Sequence, residues 1–155
     1  MVRGVSDMRK RFEAIPKRLE TAAAAAMEKG AQELVDMMKR LVPVDSGALR
    51  DSIGWTWGDA PEGAKVITQS NADSRGLKIT VYAGSKEAFY AMWVEFGTEA
   101  HTAGGKFEGA KIPNQPAHPF FFPAYRSLKK RIQSRIKRQT KAAMKFQGPP
   151  TSADV

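Results

Sequence analysis

The chain has 155 residues, 42% hydrophobic and 26% charged, enough for one core, too few for two of ordinary size, and unlike the composition of a disordered chain. With no cysteine a disulfide framework, a thiolate metal site and a cysteine nucleophile are excluded. The net charge of +9 is uneven, nine bases against six acids in residues 1–42, five against seven in 43–98 and eleven against three in 99–155, which permits nucleic acid or an acidic protein surface as a partner without fixing a fold.

No apolar run approaches the ~20 residues of a membrane-spanning helix. The opening MVRGVSDMRKRF carries charges where a signal peptide would be apolar, so secretion and a membrane partner are not expected.

Residues 6–42 read as helical, with Ser6 or Asp7 as a candidate N-cap and Met8, Phe12 and Ile15 at helical spacing. Proline costs about 3 kcal/mol in a helix interior but is tolerated in a first turn. Pro16 therefore predicts a short helix ending near Ile15 and a long one starting at Pro16, a single kinked helix being the alternative. Leu19, Ala23, Met27, Gly30, Leu34, Met38 and Leu41 fall on one face. Small residues make that face shallow, so that another backbone can approach closely. Pro43 ends the helix, and in Pro43-Val44-Asp45-Ser46-Gly47 the side chain of Asp45 or Ser46 is expected to cap a short turn at 48–52.

Residues 53–57, 65–70 and 77–82 alternate or are β-prone, and 58–64 and 71–76 supply turn chemistry for neighbouring antiparallel strands joined by loose hairpins. A helical pattern returns at 87–96 through Phe89, Ala91, Met92 and Phe96, closing at Gly97, where a positive φ is expected. Residues 98–118 carry Gly104, Gly105, Gly109, Pro113 and Pro116. This loop is longer than compact domains leave structureless and is expected to order only against a partner.

From Pro119 a last helix runs to about Phe146, with Tyr125, Leu128, Ile132, Ile136, Ala143 and Phe146 as a narrow apolar stripe, and Gly148-Pro149-Pro150 ends it. The fold class is α+β, a small antiparallel sheet of about three to four strands packed against a long N-terminal helix and a basic C-terminal helix. One domain spans 1–147, and 148–155 form a flexible tail.

Catalytic chemistry finds little support. The histidines are His101 and His118, with Glu99 and Glu108 as the nearby acids, short of three convergent ligands held by an ordered second shell. Asp45 and Ser46 suit a cap better than a hydrolase fragment. The glycines at 104, 105 and 109 lack the following Lys-Ser/Thr and the preceding strand of a phosphate cradle. No enzymatic activity and no cofactor are expected.

The last helix is more informative. Nine bases fall between Arg126 and Lys145 with no acid among them, and Arg126, Lys130, Arg131, Lys137, Arg138, Lys141 and Lys145 lie opposite Ile132 at about 100° per residue. Such a face can track phosphates, dock on an acidic partner or merely solvate the domain. It lacks the interleaved aromatics of a base-stacking surface, so sequence-specific readout is not expected.

Three segments, Val42-Pro43-Val44-Asp45-Ser46-Gly47-Ala48-Leu49-Arg50-Asp51-Ser52-Ile53, Tyr90-Ala91-Met92-Trp93-Val94-Glu95-Phe96-Gly97-Thr98 and Gln115-Pro116-Ala117-His118-Pro119-Phe120-Phe121-Phe122-Pro123-Ala124, in that order resemble the gene-product-ten-like family of long-tailed double-stranded DNA phages and prophages. The resemblance covers about residues 8–145. Ser46 replaces the usual threonine, the 98–115 connection is longer than the family's minimum, and Phe122 stands where an arginine or lysine is often found.

The resemblance implies a non-enzymatic α+β virion subunit at the neck or the head-proximal end of the tail, assembled in the bacterial host cytoplasm. Its partners would be further copies of itself in a six- or twelve-fold ring, adjacent neck, tail-terminator or tail-tube proteins, and genome DNA held nonspecifically. It also implies structural roles for Pro43, Asp45, Ser46, Gly47, Leu49, Arg50, Glu95, Phe96, Gly97, Thr98, Pro119, Phe120 and Pro123. In that reading Leu49 and Ile53 enter the core, Arg50 points outward or pairs with an acid such as Glu95, and Pro119 and Pro123 fix the entry to the last helix with Phe120 buried. The alternative function is nonspecific DNA binding through the basic helix.

Overall fold

The computed structural model describes residues 5–70, 77–86, 90–105 and 108–145, and for 5–15 the backbone. Its elements, in chain order, are α1 (Val5–Leu41), α2 (Ala48–Asp51), β1 (Gly54–Trp57), β2 (Lys65–Gln69), β3 (Ile79–Ala83), α3 (Ala91–Phe96), β4 (His101–Thr102), β5 (Lys111–Ile112) and α4 (Phe121–Met144). The class is α+β, as the sequence predicts. The chain divides into two compact units, one of residues 29–129 and one of 1–28 with 130–155.

The predicted break at Pro16 is absent, and α1 is one helix with Pro16 inside it. Proline removes one bond from the ladder, whereas a break would require a second nucleation, which is unfavourable for any helix. Met8, Phe12 and Ile15, as side chains, lie outside the described residues, as do Phe89, Phe146, the 71–76 linker and the 148–155 tail.

In the 29–129 unit the end of α1 buries Ala31, Leu34, Val35, Met38 and Val42. These positions share one helical stripe. Leu41, assigned to the buried face, lies at its rim and is exposed. The same unit holds a three-stranded antiparallel sheet in the order β1-β3-β2, not the sequential order that two hairpins would give.

Burial explains the order. Ile79, Thr80, Val81 and Ala83 of β3 are buried whereas β2 is largely exposed, so the strand best suited to cover on both faces takes the centre and the polar strand an edge. β2 carries an irregularity between Val66 and Thr68. Trp55, paired with Val81, donates from Nε1 to Gln32 Oε1 of α1 at 3.0 Å, and Thr80 Oγ1 donates to the Gly58 carbonyl at 2.6 Å. Gly54 faces Tyr82 across the ladder, where a Cβ would come within 2.8 Å of the phenol oxygen.

The 98–118 segment is not featureless. β4 and β5 form a short antiparallel pair, and Thr98 and Gln115 exchange two backbone hydrogen bonds of 3.0 and 2.9 Å at its base. Alternation over so few residues is invisible in sequence, and the closure comes from the ends of the segment.

In the other unit Ala26 is buried, and Leu19, Ala23, Met27, Ile132, Ile136 and Ala143 are half-buried. Ala22, Ala25 and Ala143 floor an open groove of about 540 Å³ edged by Lys17, Arg18 and Thr21.

Candidate functional site

All three singled-out segments meet at α3. One turn and a half of helix gives α3 three sides, and each has a different occupant.

Toward the core point Ala91 and Glu95, both buried. The Glu95 carboxylate accepts backbone N–H groups from Phe120 and Phe121 at Oε2, 2.8 and 2.9 Å, and from Phe122 at Oε1, 3.1 Å. The entry to α4, Pro119-Phe120, brings no Ser, Thr, Asp or Asn to accept these orphan donors. Glu95 does so from 25 residues upstream, and its negative charge stands at the positive end of the α4 dipole. The expected alternative, Glu95 paired with Arg50, is not what forms, because Glu95 is fully engaged inside. Arg50 is exposed and meets its neighbour Asp51 at 3.3 Å.

A second side of α3 meets the 43–50 turn. Tyr90 and Val94 join Pro43, Val44, Asp45, Ser46, Leu49 and Arg50 around a depression of about 200 Å³. Leu49 is buried beneath it and Pro43, Val44, Asp45 and Ser46 are exposed. The cap differs from expectation. Gly47, buried and at φ 86°, is the N-cap of α2 and offers no side chain, while Ser46 Oγ reaches the Ala48 N–H only at 3.4 Å. Ser52 does what neither Asp45 nor Ser46 does, donating to the Leu49 carbonyl at 2.7 Å and accepting from the Gly84 N–H at 3.0 Å, thereby tying α2 to the end of β3.

The third side carries Met92, Trp93 and Phe96, all exposed. Phe96 meets exposed Phe122 edge-on at 5.8 Å, and the Arg126 guanidinium lies 5.8 Å from the Phe122 ring centre. Lys129 lies 5.4 Å from the Tyr125 ring, which stacks on Phe121.

Gly97 closes α3 at φ 73° and ψ 177°, backbone that only glycine adopts without strain. A Cβ there would stand 2.7 Å from the Gln115 carbonyl oxygen and 2.9 Å from the Ala117 nitrogen. Next to it the His118 N–H donates to the Val94 carbonyl at 2.8 Å. Phe120 is completely buried while Pro119 and Pro123 are exposed, Pro123 in the first turn of α4.

The sequence reading assigned Glu95 no such cap, yet two signals mark it. An acid stands at the buried i+4 position from Ala91, and a helix start lacks its own capping side chain.

The seven predicted docking bases are all exposed, Arg126 in the 29–129 unit and Lys130, Arg131, Lys137, Arg138, Lys141 and Lys145 in the other. Arg135 and Lys129 fall outside that arc, about 60° either side of Ile132, and Arg135 is correspondingly buried. Asp59 is held below the ordinary carboxylate range, first by the hydrogen bond from Lys78 and then by its charge. Among the described residues no group of three or more His, Asp or Glu is placed to hold a metal, and no helix is long and apolar enough to cross a membrane.

Residues 6–97, more than half of the chain, match the family model described as "Bacteriophage HK97-gp10, putative tail-component". That stretch includes the 43–53 segment and all of α3, and it ends before the 115–124 segment. No curated protein and no solved structure matches the chain.

Proposed function

The chain belongs to the HK97-gp10-like family of phage tail components, and from that premise we propose that it is a non-enzymatic structural subunit of the virion of a tailed double-stranded DNA phage or prophage, acting in head–tail joining or tail completion within a ring at the neck. The observation that carries the reading is the use of α3. Its acid is consumed by main-chain donors at the start of α4, its glycine by close packing on 115–117, and what α3 leaves exposed, Met92, Trp93 and Phe96, is apolar. Such a surface serves assembly better than bond-making.

The cationic face of α4 is the electrostatic element of this proposal. It docks toward an acidic neighbouring ring or toward DNA passing through the neck. Exposed charges act over about 8–10 Å at physiological salt, so DNA would be held loosely and without sequence preference. Reversing Lys130, Lys137 and Lys141 to glutamate should leave folding nearly unchanged, because all three are exposed. The triple variant should lower the joining of heads to tails in complementation of a phage lacking the gene, with a deficit that changes with salt in extracts. A normal yield of infectious particles from the folded variant would refute the docking role.

The second reading, nonspecific DNA binding through the same bases, makes a different prediction. It expects a salt-sensitive shift of duplex DNA by a monomer or dimer, whereas the neck reading expects rings by light scattering or in the virion.

A further inference from the structure

We propose that copies of this chain join head to tail through the two outer sides of α3, the aromatic side of one copy seating in the 43–50 depression of the next. The inference rests on the ring reading above and assigns the contact that would build it.

Three observations carry it. On one side Met92, Trp93, Phe96 and Phe122 are exposed together, Phe96 at 58% and Trp93 at 51%, more aromatic surface in one place than a surface scattered with single apolar residues shows. On the other side Pro43, Val44, Leu49, Tyr90 and Val94 frame a depression of about 200 Å³, room for one aromatic side chain. Val44 at its lip is itself 55% exposed. Large aromatics in close-fitting pockets are the anchors that dominate protein interfaces.

Charge agrees with the apolar match. Arg126 lies over Phe122 on the aromatic side, and the depression is lined by exposed Asp45 and by Arg50, whose guanidinium pairs with Asp51 at 3.3 Å. Basic and acidic rims oppose each other when one copy's aromatics enter the next copy's depression.

Position makes the contact heterologous. At about 100° per residue Val94 stands about 160° from both Met92 and Phe96 around α3, with Trp93 toward the boundary between the two surfaces, so two separate surfaces lie on one rigid element. A copy that uses one keeps the other open for a third copy. Repetition of such a contact gives a closed ring when the rotation closes.

The absence of cysteine makes the test clean. Val44→Cys and Phe96→Cys alter two exposed positions, and circular dichroism and thermal melting confirm that each variant folds. With a short bismaleimide, each single variant is expected to stay uncrosslinked and their mixture to give dimers and nothing larger. The double variant should give a ladder that ends at the ring. Arg126→Glu or Asp45→Lys alone should raise the concentration for half-assembly at least about tenfold, and the two together should recover most of the loss.

Dimers from Phe96→Cys alone would mean a two-fold contact and overturn the proposal. If the unmodified protein assembles, the double variant gives no ladder, and Arg126→Glu and Asp45→Lys each assemble at the unmodified protein's concentration, this contact is wrong and the ring reading stands. If position 96 stays as reactive in the assembly as in the monomer, the patch serves another partner and the proposal falls. A protein that remains monomeric in solution and in the virion overturns both this contact and the ring.

Discussion

Single residues here hold elements together through the main chain. Glu95→Ala leaves three donors at the start of α4 without their acceptor and should cost about 2–3 kcal/mol, read by urea denaturation. Glu95→Gln should cost less, keeping an acceptor but losing the charge at the dipole. Gly97→Ala combines a backbone region closed to alanine with a Cβ pressed against the main chain of 115–117, and a loss of about 2–3 kcal/mol is expected in the same assay. The glycine was legible, because a glycine ending a helix is the usual left-handed residue. The glutamate's role was legible only in part, because a helix start without its own capping side chain shows in the sequence whereas the acid that fills it comes from a segment whose proximity only the fold creates. At Asp59 the folded carboxyl titrates below its unfolded range, so the pair with Lys78 favours the fold at neutral pH and this contribution disappears as pH falls through the lowered value. Lys78→Met should move the Asp59 midpoint upward in a carbon-detected NMR titration.

Helices and strands were legible where a period ran long and obscure where neighbours decide. The stripe through Leu34 and Met38 and the stripe through Leu128 declare their helices, and the alternation at 53–57 and 77–82 declares two strands. Their order in the sheet depends on which strand the rest of the unit covers, and no property of the two linkers reveals that β3 becomes central. Local chemistry at Pro16 pointed to two helices, but the length of helix-forming sequence on both sides carries the ladder past it. Pro16→Ala tests this element directly. In one continuous helix it restores a missing bond and should raise stability and helical content, by up to about 3 kcal/mol. Were Pro16 at the first turn of a second helix, the same change would be neutral or unfavourable.

Across the whole molecule the apolar and cationic surfaces divide the work the proposed function requires. Aromatic contact sets which surface meets which, and the bases on α4 add a long-range pull that salt weakens. Raising salt from about 50 to 200 mM should therefore weaken any DNA retention far more than self-assembly, measured by fluorescence anisotropy against light scattering on the same samples. The Thr98–Gln115 pair has a further consequence at this scale. It fastens the two ends of the 99–114 excursion before α4 begins, so α3 and the start of α4 see the same boundary whatever lies between. Doubling such a loop costs only about 0.6 kcal/mol in closure entropy. The excursion is thus a stretch of chain free to lengthen, shorten or change its tip over evolutionary time without disturbing the carboxylate that anchors the last helix.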